Sequence, residues 1–151
     1  MSASQQELQE LSQQLQELQE QIEALETSVE AVRTEQGEVD EAITALEQLE
    51  TGSVVQVPLG GGAYVRAEIE DIDEAIVELG ADYAAEFERE GAVSALENKK
   101  ERLDDDIEEL TDQIADLEAE SAQLEGKAQQ LQQQAMQQQM QQMQGQQNPD
   151  E

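Results

Sequence analysis

Cysteine, histidine and tryptophan are absent from this sequence, and only 7 of its 151 residues are Lys or Arg. Without Cys there is no disulfide, no thiolate nucleophile and no structural zinc of the usual kind. Without His there is no imidazole base, no Ser-His-Asp triad and no HExxH metal site. Two Tyr and one Phe are the only aromatics, and mean hydropathy is −0.71, which argues against a large globular core. No apolar run approaches the roughly 18 residues that span a bilayer. The first residues, MSASQQELQELSQQ, have neither the basic region nor the apolar core of a signal peptide. These features read as a soluble, cytoplasmic protein.

What the chain has in abundance is acid. It carries 37 Asp and Glu and a formal net charge of −30. Nucleic acid and anionic membranes are poor partners for such a surface, because phosphate binding needs Lys and Arg. The acidity is either a solvated helix surface of unusual charge or an adaptation to a very salty cytoplasm. Its extension along nearly the whole chain favours the second. The Debye length is about 3 Å at 1 M salt, so molar salt quiets a self-repulsion that dilute buffer does not.

Apolar residues recur at alternating steps of three and four from Leu8 through Leu11, Leu15, Leu18, Ile22, Leu25, Val29 and Val32 to Val39, Ile43 and Leu46. Gln36 is the one polar member of that series. A second run goes Val93, Leu96, Lys100, Leu103, Ile107, Leu110, Ile114, Leu117, Ser121, Leu124, Ala128, Leu131. This is a coiled-coil heptad signal. Each run covers 39 residues, roughly 58 Å at 1.5 Å per residue, so the chain is expected to fold back on itself. Antiparallel layers then pair Leu46 with Val93, Ile43 with Leu96, Val29 with Leu110, Ile22 with Leu117 and Leu8 with Leu131. Gln36 faces Leu103 and Lys100 faces Val39 in neighbouring layers, where polar residues can specify register.

Between the runs the period changes to two. In SVVQVPLGGGAYVRAEI, Val55, Val57 and Leu59 share a face, as do Ala63, Val65, Ala67 and Ile69, with Gly60, Gly61 and Gly62 at the turn. A second hairpin follows, with Ala75, Val77 and Leu79 before Gly80, Ala81 and Asp82, and Tyr83, Ala85 and Phe87 after them. Hairpins are marginal alone in water. Val55, Val57, Leu59, Val65, Ile69, Val77 and Leu79 are therefore expected to form an oligomer interface.

The expected fold class is α+β, mainly α. A long antiparallel two-helix coiled coil is joined by two β-hairpins that contribute to a shared oligomeric β-barrel. The segments are 1–50 for the first helix, 53–89 for the double hairpin, 91–143 for the second helix and 144–151 for a disordered tail.

Several motifs fail on inspection. GGGAYVRAEI lacks the Lys-Ser/Thr of a P-loop and the spacing of GxGxxG. Asp71 and Asp73 have no following loop glycine of the EF-hand kind. Asp104, Asp105 and Asp106 read as a solvated acidic face, with a weak divalent-cation site as the alternative. No apolar pocket is evident that would raise a carboxylate pKa for catalysis. No enzyme, cofactor or metal is read here.

The stretch QQLQQQAMQQQMQQMQGQQ from Gln129 is uncharged and holds Met136, Met140 and Met143. In the antiparallel register it lies beside Met1, and nothing in the first run remains to cover Met140 and Met143. Met is an adaptable, polarizable contact and Gln keeps the stretch soluble without charge. The alternative is a frayed low-complexity tail without a role.

VEAVR (Val29 to Arg33), VPLGGGAYVRAEI (Val57 to Ile69) and IVELGADYAAEFE (Ile76 to Glu88), in this order between matched helices, resemble the alpha class of archaeal prefoldin subunits. The resemblance covers nearly the whole chain and implies a hexamer of two alpha and four beta chains built on joined β-barrels. It further implies an ATP-independent holdase that captures unfolded proteins at coiled-coil tips and delivers them to a group II chaperonin. The client-binding residues it suggests are Leu8, Leu11, Leu131, Met136, Met140 and Met143. The rival reading is a structural or adaptor coiled coil that does not bind unfolded chains.

Overall fold

The computed structural model describes residues 3–146, so Met1, Ser2 and the last five residues lie outside the described residues. The element order is α1 (Ala3–Gln48), β1 (Val54–Gly60), β2 (Ala63–Glu68), β3 (Ala75–Gly80), β4 (Tyr83–Phe87) and α2 (Arg89–Gln146). The second helix thus runs through residues 144–146, the first three of the segment expected to be a tail. Mainly α, with two small antiparallel hairpins, is the class the heptads and the alternation predict.

The chain divides into two compact units, one built from residues up to Val29 with those from Glu109 onward, the other from Glu30–Glu108. In the first, Leu11, Leu18, Ile22 and Val29 are buried at 5–8 % exposure. Leu110, Ile114, Leu117, Ser121, Leu124, Ala128 and Leu131 are half-buried on α2. Leu25 lines one cleft with Gln113 and Leu117, and Leu18 lines another with Glu120 and Leu124. Residue numbers thus fall on α2 as they rise on α1. This is the antiparallel order of the heptad pairing, to within three residues. Small residues open the seam, with Ala24 lining the first cleft and Ser121 replacing an apolar layer.

In the second unit, Val39, Val77, Ala92, Leu96 and Leu103 form the buried core, with Ile43, Leu46, Leu79 and Phe87 packed around it. Strands β3 and β4 pair antiparallel with Val77 opposite Ala85, and their inward face covers the helix pair. Fully burying a Val or Leu side chain is worth about 1.5–3 kcal/mol. That packing stabilises a hairpin that would be marginal alone.

Polar contacts close the corners. The Asp73 carboxylate accepts the backbone N–H of Arg89 at 3.2 Å and caps the start of α2. The Arg89 guanidinium donates to the Leu49 carbonyl beyond the end of α1. Gly52, at φ 90°, donates to the Ile69 carbonyl at 2.7 Å, a bend that favours glycine.

The hairpins share one design. Gly60 pairs with Ala63 and Gly80 with Tyr83, leaving two-residue turns of positive φ, Gly61-Gly62 and Ala81-Asp82. These are the φ signs of a type I′ turn, whose twist matches that of the strands. In each, the register slips by one residue, at Leu59 and at Leu79, which is a β-bulge.

Candidate functional site

Among the described residues no group of three His, Cys, Asp or Glu side chains is placed to hold a metal. Among the described residues no helix is long and apolar enough to cross a membrane. The features that invite function are two exposed apolar surfaces and one polar layer.

The first surface is the β1–β2 hairpin. It forms a separate two-stranded sheet, unpaired with β3–β4. Val55 lies opposite Ala67 and Val57 opposite Val65, so these side chains share a face with Leu59 and Ile69. Val57 is 42 % exposed, Val65 48 % and Leu59 65 %, while Val55 and Ile69 are half-buried. On the other side of the sheet, Val54 and Tyr64 are also exposed. Both faces of a thin apolar sheet are therefore open to solvent, which is unusual for a chain meant to stay alone.

Val77 and Leu79, grouped with these residues by alternation, are placed differently. Val77 is buried at 6 % in the chain's own core, and Leu79 packs against it. Ile76, one residue before, is 75 % exposed and shares the outer face of that hairpin with Glu78. Alternation does carry this signal, since Ile76 and Val77 must point to opposite faces. It does not say which face the chain itself covers.

The second surface lies on α2. Met136, Met140 and Met143 are each 65–68 % exposed. Steps of four and three place them on one stripe of a helix. The seam positions beyond Leu131 are Ala135 and Gln138, and Ala135 is half-buried. The Met stripe starts one residue later and points away from the seam. Its exposure follows from its face rather than from lack of a covering strand. Leu8 and Leu131 are half-buried, and Leu11 is buried at 6 % exposure.

The polar layer joins the helices within the second unit. Lys100 Nζ lies 2.7 Å from Asp40 Oδ1. Gln36 Nε2 donates to Asp104 Oδ1 and, at 3.5 Å, to the Lys100 carbonyl. Lys99 adds a 3.8 Å contact to Glu35. The hydrogen bond and charge of Asp40 raise the Lys100 ammonium above its ordinary 10.5, with Asp104 and Glu97 adding to the effect. The two polar heptad positions thus become a cross-helix network, and Asp104 serves it as an acceptor. Asp104, read from the sequence as part of a solvated acidic face, accepts this hydrogen bond instead, and Asp40, which carries no pattern signal, lies beside the seam rather than in it.

Compared with known proteins, residues 2–134 match the Prefoldin subunit family. The chain belongs to the prefoldin family. It is 62% identical over 107 residues to Prefoldin subunit alpha of Halorubrum lacusprofundi, covering 71% of this chain and 70% of that one. It is 66% identical over 100 residues to Prefoldin subunit alpha of Halobacterium salinarum, covering 66% and 65%. Against Prefoldin subunit alpha of Haloarcula marismortui it is 64% identical over 73 residues, 48% of this chain and 47% of that one. The matched stretches thus span about half to 70% of these curated relatives. A prefoldin structure from Methanocaldococcus jannaschii, a filamentous PFD, covers 80% of this chain and 97% of its own at TM-score 0.52 and 26% identity. The similarity to alpha subunits of halophilic archaea accords with the acidity.

Proposed function

We propose that the chain is the alpha-class subunit of a cytoplasmic, ATP-independent holdase. In this reading its hairpins assemble with beta-class prefoldin subunits, two alpha to four beta, into shared β-barrels. Unfolded proteins bind the far ends of the helix pairs and pass to a group II chaperonin. The observation that carries the reading is the β1–β2 hairpin, with Val57, Leu59 and Val65 uncovered in a chain otherwise so polar. Val55 and Ile69 complete that interface, while Val77 and Leu79 hold the second hairpin to the helices behind it.

Met136, Met140 and Met143 supply the client contact. An unbranched thioether adapts to many apolar partners, and the neutral Gln around it avoids repelling acidic clients. In this reading the seam leucines Leu8, Leu11 and Leu131 also take part in client contact. Replacing the three Met by Gln in the reconstituted complex tests this. Suppression of aggregation of a denatured client should fall several-fold while the complex keeps its mass. Unchanged suppression would count against the Met stripe.

The filamentous form of the M. jannaschii neighbour favours a second reading, a scaffold that assembles without binding unfolded chains. A complex of full mass that never suppresses client aggregation would select it.

A further inference from the structure

The chain has four methionines, Met1, Met136, Met140 and Met143, and no cysteine, so thioethers are its only sulfur. None of them stands at a heptad position between Leu8 and Leu131, and none lies in the hairpin segment 53–89. The buried helix positions use branched apolar side chains or Ala instead, as at Leu11, Leu18, Leu96 and Leu103. Met136, Met140 and Met143 stand 65–68 % exposed on one stripe of α2. Every other residue from 137 to 146 is Gln or Gly, so the three Met supply all the apolar surface of that stretch. Sulfur and apolar surface thus coincide near the end of α2, and the seam and the hairpins contain no sulfur.

We propose that Met136, Met140 and Met143 form a reversible oxidation site that switches client contact off under peroxide. This rests on the client-contact reading of the stripe and deepens it. The sulfur lone pair attacks one peroxide oxygen, so that an S–O bond forms and the O–O bond breaks. Sulfur gives up two electrons, and the second oxygen leaves as water with both protons. The sulfoxide is polar where the thioether was apolar, and the stretch 136–146 loses its last apolar side chains. Two thiols of a sulfoxide reductase reverse the step, closing a disulfide and releasing the oxygen as water. Leu would supply a similar apolar volume without this chemistry. Because the seam and the hairpins carry no sulfur, the oxidised chain keeps its helices and its assembly surface.

The test treats the full chain with hydrogen peroxide in molar KCl, removes the peroxide with catalase, and then adds an untreated beta-class prefoldin subunit. Peptide masses should show one added oxygen at each of the three positions, with helicity and the mass of the complex unchanged. Suppression of the aggregation of guanidine-denatured citrate synthase should fall several-fold, to the level of the untreated variant with all three Met replaced by Gln. It should recover once the two epimer-specific sulfoxide reductases have removed the oxygens. A Met136→Leu, Met140→Leu, Met143→Leu variant, read against its own untreated level, should not respond to peroxide. Met1 is present in every variant, so its oxidation is common to all.

The site is overturned if oxidised wild type suppresses aggregation as well as reduced wild type while the Gln variant does not. The client contact then stands and only its switching fails. An equal loss in the Leu variant puts the peroxide effect outside the stripe and also overturns the site. Suppression that stays low after the oxygens are gone is damage, and overturns the reversible assignment. If the Gln variant suppresses as well as untreated wild type, the contact reading itself fails and the switch falls with it.

Discussion

Lys100 Nζ sits 2.7 Å from Asp40 Oδ1, so a cation at a heptad position meets a carboxylate beside the seam on the other helix. The sequence pattern places Lys100 against Val39, as a polar interruption of an apolar layer. Its long stem allows another arrangement, in which Val39 is buried at 5 % and the ammonium reaches past it to Asp40. With Gln36 bound to Asp104 and to the Lys100 carbonyl, two weak layers become one bonded register mark.

This pair has a pH signature. The Lys100 pKa is raised in the folded chain, chiefly by Asp40. Its contribution is present in full below the ordinary lysine value of 10.5 and is lost as pH rises through the raised folded value. Urea midpoints measured from neutral pH into the alkaline range should drop more for wild type than for Asp40→Asn. Parallel curves for the two proteins would mean the contact contributes nothing in solution.

Two glycines inside the helices are unforced. A Cβ on Gly37 or Gly126 would meet nothing within 4 Å, and neither has positive φ. Gly37→Ala and Gly126→Ala should each stabilise by about 0.5–1 kcal/mol. Gly52→Ala should destabilise instead, since Gly52 has φ 90°. Denaturation midpoints check all three, and a stabilising Gly52→Ala would contradict the bend described at the Ile69 carbonyl.

The acidity predicts a salt requirement. At a net charge of −30, carboxylates on paired helices repel over about 10 Å at 0.1 M salt but only about 3 Å at 1 M. Helix content and melting temperature should therefore rise together from dilute buffer to molar KCl. Helicity that is full and unchanged across that range would remove salt adaptation as the cause of the composition.

Much of this architecture is legible in the amino-acid sequence. Heptads from Leu8 to Leu46 and from Val93 to Leu131 fix one face of each helix, and the period-two stretches fix the hairpins. Which hairpin face the chain covers was not legible. Val57 and Val77 sit at equivalent places in VPLG and VELG, yet Val57 is open and Val77 is buried on Leu96 and Val39. Alternation is a property of one strand, whereas that choice depends on where the helix pair enters. The Met stripe was legible as residues but not as a direction. Its face, away from the seam, emerges only when Ala135 and Met136 are set on the same helix.

The most direct test is the native mass of the chain in molar salt, alone and with a beta-class prefoldin subunit, for wild type and for the Val57→Asp, Val65→Asp variant. The account predicts a defined hetero-hexamer of two alpha and four beta chains for wild type, and none for the variant at unchanged helicity. A wild-type chain that stays unassembled beside its partner, or a variant that assembles equally well, would contradict it.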